Sequence, residues 1–391
     1  MSSDLDAFAR EALAELGQAG RRRRLRPTEF LDSRRVERDG KALVDFSTND
    51  YLGLASDPEV LAAGSDALQR YGAGGRASRL ITGDHPEYAA LETELAALKG
   101  SEDAVVFGSG FLANLGILTA LAGRHDLILA DRLNHACLVD GARLSGARVL
   151  RYPHGDPEAV RHRLSRYRSE HRHCLLVTDG IFSMDGDLAP LGELAELAET
   201  FGCWLMSDDA HGVGVVGDGA GSTRAAGLTA GDVPLQMGTL SKAVGGYGGY
   251  LCASRPVAEL IRNRARSFIY TTALPPATVV ANRVAVARIR RDPELCRRPL
   301  VLARRLADRL GLNARDSPIL PVVLGEDDAA IAAQGALEEA GYLVQAIRPP
   351  TVPEGTARLR ITLRAPHTES DVDGLTAALA PLMPATVAAR L

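Results

Sequence analysis

The segments CLLVT at 174–178 and CWLMS at 203–207 are short apolar runs separated by a stretch with helical spacing. Runs of the same kind recur between residues 46 and 255, at 104–107, 127–130, 148–152, 235–238 and 249–253. This alternation predicts an α/β fold with a mostly parallel central sheet flanked by helices. Because ligands of such sheets bind beyond the carboxyl ends of the strands, the residues after these runs are candidate site residues.

The flanking segments have different patterns. Helical spacing from Leu5 to Leu16 precedes an arginine cluster at 21–26, which is either a solvated surface turn or an anion contact for a substrate. Beyond the sheet region, apolar runs at 319–324 and 359–363 lie among amphipathic helical segments. We therefore expect an N-terminal arm over 1–45, a large domain over 46–285 and a smaller C-terminal α+β domain over 286–391.

Composition disfavours several classes of function. The net charge of -4 gives no general attraction for nucleic acid. The five cysteines never form a C-x-x-C spacing, so neither a disulfide framework nor a zinc site is indicated. No apolar run approaches the roughly 18 residues that span a bilayer. We expect a cytoplasmic protein without a metal, nucleic-acid or membrane partner.

A glycine turn follows the run at 104–107. Gly108-Ser109-Gly110-Phe111 leads into a helical pattern, so backbone N–H groups at the positive end of a helix dipole would be free to hold a phosphate. The same letters fit the dinucleotide pattern G-x-G-x-x-A. The turn alone leaves a phosphate ester and a nicotinamide nucleotide both open.

Two carboxylates and a histidine follow the run at 203–207. Asp208-Asp209-Ala210-His211 would suit a helix cap, a metal or a protonated heterocycle, and the lack of further ligand spacing disfavours the metal. A carboxylate can keep a pyridine nitrogen protonated while an imidazole reaches a neighbouring phenolic oxygen. Pyridoxal phosphate requires both partners.

A lysine follows the run at 235–238. The chain has only three lysines, Lys41, Lys99 and Lys242, and arginine is used almost everywhere else. Lys242 lies between a Thr/Ser pair and a glycine-rich loop, and arginine cannot form an imine. Lys242 is therefore the candidate nucleophile that holds pyridoxal phosphate as a Schiff base.

Taken together, these residues resemble those of the α-oxoamine synthases, a branch of the fold-type I pyridoxal phosphate enzymes. The resemblance runs from Asn49 to Thr362. Its motifs are Asn49-Asp50-Tyr51-Leu52-Gly53-Leu54, Tyr71-Gly72-Ala73-Gly74, Ser78-Arg79-Leu80, Asp208-Asp209-Ala210-His211, Gly238-Thr239-Leu240-Ser241-Lys242 and Ile347-Arg348-Pro349-Pro350-Thr351-Val352-Pro353.

The resemblance implies roles around the cofactor ring. Lys242 would carry the cofactor, and Asp208 would pair with the pyridine nitrogen. His211 would contact the ring oxygen, His135 would stack on the ring face, and Ser183 would lie beside the ring. Without the resemblance, His135 would be read as a local hydrogen-bonding residue and Ser183 as part of a turn.

The resemblance also implies a phosphate site. Gly110, Phe111 and Thr239 would hold the phosphate, together with Thr271 or Thr272 from the neighbouring subunit of a homodimer.

Substrate contacts are implied as well. Asn49 and Arg360 would orient the carboxylate of an amino acid. Arg348 and Thr351 would lie near an acyl substrate, and Arg23 in the N-terminal arm matches a further substrate contact.

The implied reaction is a decarboxylative condensation of L-alanine with a pimeloyl thioester in biotin biosynthesis, with the acyl group on coenzyme A or an acyl carrier protein. A glycine C-acetyltransferase of the same family is the alternative. A nicotinamide oxidoreductase would leave Lys242, Asp208 and His211 without a task, and a non-catalytic pyridoxal phosphate-fold binding protein stays open. A serine hydrolase is disfavoured because the chain has no G-x-S-x-G.

Overall fold

The computed structural model describes residues 4–18, 20–314 and 316–383. The N-terminal part contains one helix and three short strands: α1 Asp4–Gln18, β1 Glu29–Phe30, β2 Arg35–Arg38 and β3 Lys41–Asp45. The three strands form an antiparallel ribbon. None of the side chains of α1 is buried.

A seven-stranded sheet forms the centre of the molecule. Its strands are β4 Asp103–Phe107, β5 Leu127–Asp131, β6 Arg148–Tyr152, β7 Cys174–Asp179, β8 Trp204–Asp208, β9 Leu235–Thr239 and β10 Gly249–Ala253. Their order is β4-β10-β9-β8-β7-β5-β6, and β10 alone among them runs antiparallel to its neighbours. The predicted mostly parallel sheet is confirmed, and all seven predicted runs are strands.

Helices cover both faces of this sheet. They are α2 Pro58–Tyr71, α3 Pro86–Lys99, α4 Gly110–Leu121, α5 Ala136–Leu144, α6 Pro157–Tyr167, α7 Leu191–Phe201, α8 Ser222–Ala225, α9 Arg255–Arg264, α10 Arg266–Ile269 and α11 Pro276–Arg291. Successive side chains of β4 point to opposite faces of the sheet and so enter two different cores. Val106 packs with α3 and α11 on one face, whereas Val105 packs with α4 and α9 on the other.

The C-terminal part has its own core. Its elements are α12 Pro293–Arg309, β11 Ile319–Gly325, α13 Asp327–Glu339, β12 Tyr342–Leu343, β13 Gln345–Ile347, β14 Ala357–Thr362 and α14 Glu369–Leu379. The antiparallel sheet β11-β14-β13 packs against α12, α13 and α14, as an α+β unit should. Strand β12 pairs in parallel with β3 and so ties the N-terminal ribbon to this unit.

Helix α11 crosses the predicted boundary at residue 285 without a break. A division after Arg291 would keep that helix whole, and the domain limits stay a prediction. In the part of the chain that the structure describes, no helix is both long and apolar enough to cross a membrane.

A buried ion pair fixes the loop that follows β8. Lys99, the last residue of α3, has a side chain 0% exposed, and its Nζ donates to Asp209 Oδ2 at 2.5 Å and to the Ala220 carbonyl at 2.6 Å. Asp209 also accepts from the Ser222 hydroxyl at 2.5 Å. Because Asp209 follows Asp208 directly, this pair anchors the backbone next to a predicted site residue.

We expect Lys99→Met to lower the free energy of unfolding by about 3–5 kcal/mol, since it leaves the Asp209 carboxylate buried without its cation. Urea denaturation would measure the loss. Lys41→Met is the control: Lys41 pairs with Glu339 at an exposed site and should cost less than about 1 kcal/mol. Equal losses in the two variants would contradict the anchoring role of Lys99.

Candidate active site

A cavity of about 190 Å³ lies at the carboxyl ends of β7, β8 and β9 and beside the N-terminus of α4. The topology brings together here residues that are more than 130 positions apart in the sequence. Seven of the predicted site residues line the cavity: Gly110, Phe111, His135, Asp208, His211, Thr239 and Lys242.

Asp208 ends β8 and is buried at one side of the cavity. Its Oδ2 accepts from Asn114 Nδ2 at 2.6 Å, and its Oδ1 accepts from the Ala210 N–H at 3.0 Å. Asn114 is fully buried on α4 and fixes the orientation of the carboxylate. A buried, oriented carboxylate of this kind fits the protonated nitrogen of a pyridine ring.

Asp179 lies opposite Asp208 in the parallel register of β7 and β8. Burial and then the negative charge of Asp208 raise the pKa of Asp179 well above its usual value. Its Oδ1 also accepts from the His135 N–H at 3.3 Å. The raised pKa favours the neutral acid at Asp179.

Lys242 reaches the cavity from the loop that follows β9. Burial lowers the pKa of its ammonium group, and the nearby Asp208 and Asp179 oppose that shift. A lowered pKa makes the neutral amine more available, which is what an imine-forming lysine requires. The position of Lys242 thus fits an aldehyde cofactor whose ring nitrogen contacts Asp208.

The opposite end of the cavity fits a phosphate group. Ser109 caps α4, its Oγ accepting from the Leu112 N–H at 3.2 Å, and Gly110 and Phe111 supply the first N–H groups of the helix. A Cβ on Gly110 would lie 3.4 Å from Thr239 Oγ1. Thr239 Oγ1 in turn lies 2.8 Å from Ser241 Oγ. The hydroxyl groups of these two residues therefore lie beside the first N–H groups of α4.

The two predicted histidines are both held in the neutral form by burial. Burial lowers the pKa of His135, whose Nδ1 accepts from the Cys137 N–H at the start of α5. Burial also lowers the pKa of His211 well below its usual value, with Lys242 contributing in the same direction. Neutral imidazoles can stack on a ring or offer a single N–H donor.

Arg360 contacts Asn49, its predicted partner at the substrate carboxylate, and Ser183, which is predicted to lie beside the cofactor ring. Arg360 on β14 donates through Nη2 to Asn49 Oδ1 at 3.2 Å and through Nε to the Ser183 carbonyl at 2.5 Å. The side chain of Arg360 comes from the C-terminal unit, whereas Asn49 and Ser183 come from the segments that surround the central sheet. These contacts are consistent with the predicted carboxylate anchor.

The predicted acyl contacts form a separate group. Arg348 Nη1 donates to the Gly20 carbonyl at 3.0 Å, and the Thr351 N–H donates to the Arg348 carbonyl at 3.1 Å. Arg348 thus contacts the N-terminal arm just before Arg23. Their roles stay predictions.

Thr271 and Thr272 border a different small cavity of this chain, beside Gly108 and Phe268. Thr272 pairs with Ser78 in an isolated bridge. The prediction assigned one of these threonines to the site of a neighbouring subunit, and that assignment also stays a prediction.

Sequence reasoning missed Asn114, Asp179 and Tyr51. Asp179 directly follows the predicted run at 174–178, as Asp208 follows the run at 203–207, but the segment that begins at Asp179 is interpreted from the sequence as a turn. Asn114 lies one turn beyond Gly110 on α4, which is a signal for the same face of the helix. Tyr51 belongs to a quoted motif, but no local pattern indicates its contact with His211.

Fold and site together define a pyridoxal phosphate enzyme of the aminotransferase type. The family model for aminotransferase class I and II matches residues 41–379. The chain is 55% identical to the 8-amino-7-oxononanoate synthase of Methylobacterium nodulans over 98% of both chains. It is 52% identical to the enzyme of that name from Maricaulis maris, over 100% of this chain and 99% of the relative.

Solved structures give the same result. Serine palmitoyltransferase from Sphingomonas wittichii superposes with a TM-score of 0.91 at 32% identity, over 97% of both chains. The 8-amino-7-oxononanoate synthase of Francisella tularensis has a TM-score of 0.73 at 29% identity, over 87% of this chain and 96% of that one. The chain therefore belongs to the aminotransferase class I and II family and, within it, to the 8-amino-7-oxononanoate synthases, which are pyridoxal phosphate-dependent acyltransferases. The predicted family, fold type and cofactor are confirmed.

His154 links two loops of this site. Its Nδ1 lies 3.1 Å from Asp131 Oδ1, at the end of β5, and its Nε2 lies 2.7 Å from Asp187 Oδ2, in the loop after β7. One loop carries His135 and the other carries Ser183. Hydrogen bonds to Asp131 and then Asp187 raise the pKa of His154 from 6.5 to about 10, so the imidazolium bridges two carboxylates.

We expect this bridge to make stability depend on pH in one direction. Because the folded pKa is above the unfolded value of 6.5, the stabilisation is complete below pH 6.5 and is lost as the pH rises through about 10. The difference in unfolding free energy between the wild type and His154→Gln, measured in urea, should shrink over that range. A difference that stays constant from pH 6 to pH 10 would contradict a charged His154.

Proposed function

We propose that this chain condenses L-alanine with a pimeloyl thioester to give 8-amino-7-oxononanoate, CO2 and the free thiol carrier in biotin biosynthesis, with Lys242 carrying pyridoxal phosphate. One observation supports this site most strongly: the amine of Lys242, the buried carboxylate of Asp208 and the N-terminus of α4 all lie around one cavity. The names of the relatives support the substrates.

The cofactor supplies an electron-withdrawing ring that stabilises negative charge at the α-carbon of the amino acid. Asp208 would maintain that property by keeping the ring nitrogen protonated. Asn114 holds Asp208 in place through the 2.6 Å hydrogen bond. Burial raises the pKa of Asp179, so Asp179 would already be protonated and would not take the proton of the ring nitrogen. Gly110, Phe111 and Thr239 would hold the phosphate at the other end of the cavity.

Lys242 would have a second task besides holding the cofactor. Its Nζ, with a pKa lowered by burial, would remove the proton from the α-carbon of alanine and later return one to the same atom. Lys242 is partly accessible within the cavity, so the freed amine stays beside the reacting carbon. His135 would pack on the ring face and limit the access of water from that side.

Arg360 and Asn49 would bind the carboxylate of alanine. Their positions matter because the cofactor ring weakens only the bond at the α-carbon that stands perpendicular to the ring plane. The contact with the carboxylate would determine which bond has that orientation. Arg360 is already held by Asn49 and by the Ser183 carbonyl, so little side-chain freedom is lost on binding. His211 would donate to an oxygen of the cofactor ring.

The acyl substrate would contact Arg348, Thr351 and Arg23. The bond from Arg348 to the Gly20 carbonyl brings the arginine-rich arm next to the segment 347–353. These arginines are positively charged, whereas a terminal carboxylate or a thioester carrier is negatively charged, so the attraction between them would favour binding. A homodimer that supplies Thr271 or Thr272 to the neighbouring site, an acyl carrier protein as a partner and a cytoplasmic location belong to the same proposal.

We expect Lys242→Ala to lose the visible absorbance of the holoenzyme. In the wild type, borohydride reduction followed by peptide mapping should place the pyridoxyl label on Lys242. Lys41 and Lys99, the other two lysines of the chain, serve as internal controls and should carry none. A label on either of them, or an unchanged spectrum in Lys242→Ala, would rule out the assignment.

We expect the purified holoenzyme to form product from alanine and pimeloyl-CoA far faster than from glycine and acetyl-CoA. A thiol reagent measures the rate at which the free thiol is released. This rate would be compared for all four combinations of the two amino acids with the two thioesters. Mass spectrometry of the products confirms that CO2 has been lost. A preference for glycine with acetyl-CoA would instead support a C-acetyltransferase, and no turnover with any pairing would leave only a binding protein.

A further inference from the structure

Tyr51 connects the predicted carboxylate anchor to His211. Its side chain is 0% exposed, and its hydroxyl oxygen lies 2.5 Å from His211 Nδ1 and 3.3 Å from Asn49 Oδ1. Burial raises the pKa of this phenol, and Arg360, which donates through Nη2 to the same Asn49 Oδ1 at 3.2 Å, opposes that shift. Residues from three separate segments are therefore linked around one buried phenol.

The chemistry of these groups sets the direction of the hydrogen bonds. A phenol has a single hydrogen to donate, so Tyr51 can donate to only one acceptor. The two acceptors within reach are His211 Nδ1 and Asn49 Oδ1. The contact to Nδ1 is shorter by 0.8 Å, and Asn49 Oδ1 already accepts from Arg360 Nη2. The Tyr51 hydrogen is therefore directed to His211 Nδ1.

An acceptor at Nδ1 determines which nitrogen of His211 carries the proton. A neutral imidazole has one N–H donor and one acceptor, so the proton must be on Nε2. Burial, together with the positive charges of Lys242 and Arg360, lowers the pKa of His211, which agrees with a neutral ring. The same burial raises the pKa of Tyr51, which keeps the phenol protonated and able to donate.

We propose that Tyr51 is a positioning residue that fixes His211 as its Nε2–H tautomer, so that the imidazole offers a hydrogen-bond donor to the cavity. His211 lines that cavity, whereas Tyr51 does not. An oxygen acceptor is the partner that such a donor requires, either the phenolic oxygen of the cofactor or the carbonyl oxygen of the thioester. This inference rests on the proposed function for the identity of that acceptor, but not for the tautomer.

These contacts also couple two parts of the site. Arg360 donates to Asn49 and to the Ser183 carbonyl, and Asn49 Oδ1 lies 3.3 Å from the Tyr51 hydroxyl, so the substrate anchor adjoins the support of His211. Loss of the phenol would leave His211 Nδ1 buried without its donor. The ring would then be free to move its proton to Nδ1 or to rotate.

The test is the protonation state of His211 in the holoenzyme, read by NMR on protein labelled with ¹⁵N-histidine. The chain has nine histidines, and the signals missing from His211→Gln identify His211. We expect an unprotonated Nδ1 and a protonated Nε2 in the wild type. In Tyr51→Phe, which keeps the volume of the ring, the signals should shift towards a mixture of tautomers, and kcat should fall about tenfold or more.

Tyr250→Phe is the matched control. Tyr250 is also 0% exposed, and its hydroxyl has no hydrogen-bond partner among the described residues. This variant should retain the wild-type tautomer of His211 and the wild-type kcat.

Two results would overturn the proposal: a proton on Nδ1 of His211 in the wild type, or a Tyr51→Phe variant that keeps both the tautomer and kcat. The wild-type spectrum decides the matter even if Tyr51→Phe fails to fold. Because the tautomer is measured without substrates, failure of the proposed substrates to react would leave this test intact.

Discussion

The parallel register of β7, β8 and β9 is the constraint on which the site depends. It sets Asp179 opposite Asp208 and Asp208 opposite Met237, two residues before Thr239. The loops that leave these strand ends must therefore start from one edge of the sheet. The groups of this chain that line the cavity reach it from that edge or from the N-terminus of α4, whose first turn lies against Thr239.

Placing two aspartates and a lysine at one buried edge has an electrostatic cost, and the surrounding structure offsets it in different ways. Asp208 is stabilised by hydrogen bonds from Asn114 and the backbone, whereas the raised pKa of Asp179 favours its neutral form. Asp209, directed away from the cavity, has a full ion pair with Lys99. A Cβ at Gly221 would lie 1.7 Å from Asp209 Oδ2, so a side chain there would displace this pair. The glycine loop after β8 is therefore part of the support of Asp209.

The sequence allowed the strands and the residues after them to be predicted because both depend on local patterns. The seven strands are continuous apolar runs, Asp208 is the last residue of β8, and Lys242 lies three residues beyond the end of β9. Tyr51 could not be given a role in this way, because its partner His211 is 160 positions away in the sequence and no local pattern links the two. Arg348 and Thr351 were selected by resemblance alone, and their geometry is tied to the arm rather than to the cavity.

Lys99 and Lys242 show why lysine is retained at these two positions in a chain that otherwise uses arginine almost everywhere. At Lys242 the reason is chemical, since a primary amine is needed to form an imine. At Lys99 the reason is steric: Nζ lies 2.5 Å from Asp209 Oδ2 and 2.6 Å from the Ala220 carbonyl, inside a space that leaves the side chain 0% exposed. A planar guanidinium has five donors to satisfy in that space, and an ammonium has three. The requirement for a compact cation therefore explains Lys99 without any catalytic role. A rare residue type in a sequence can thus indicate a packing constraint in the core as well as a chemical function.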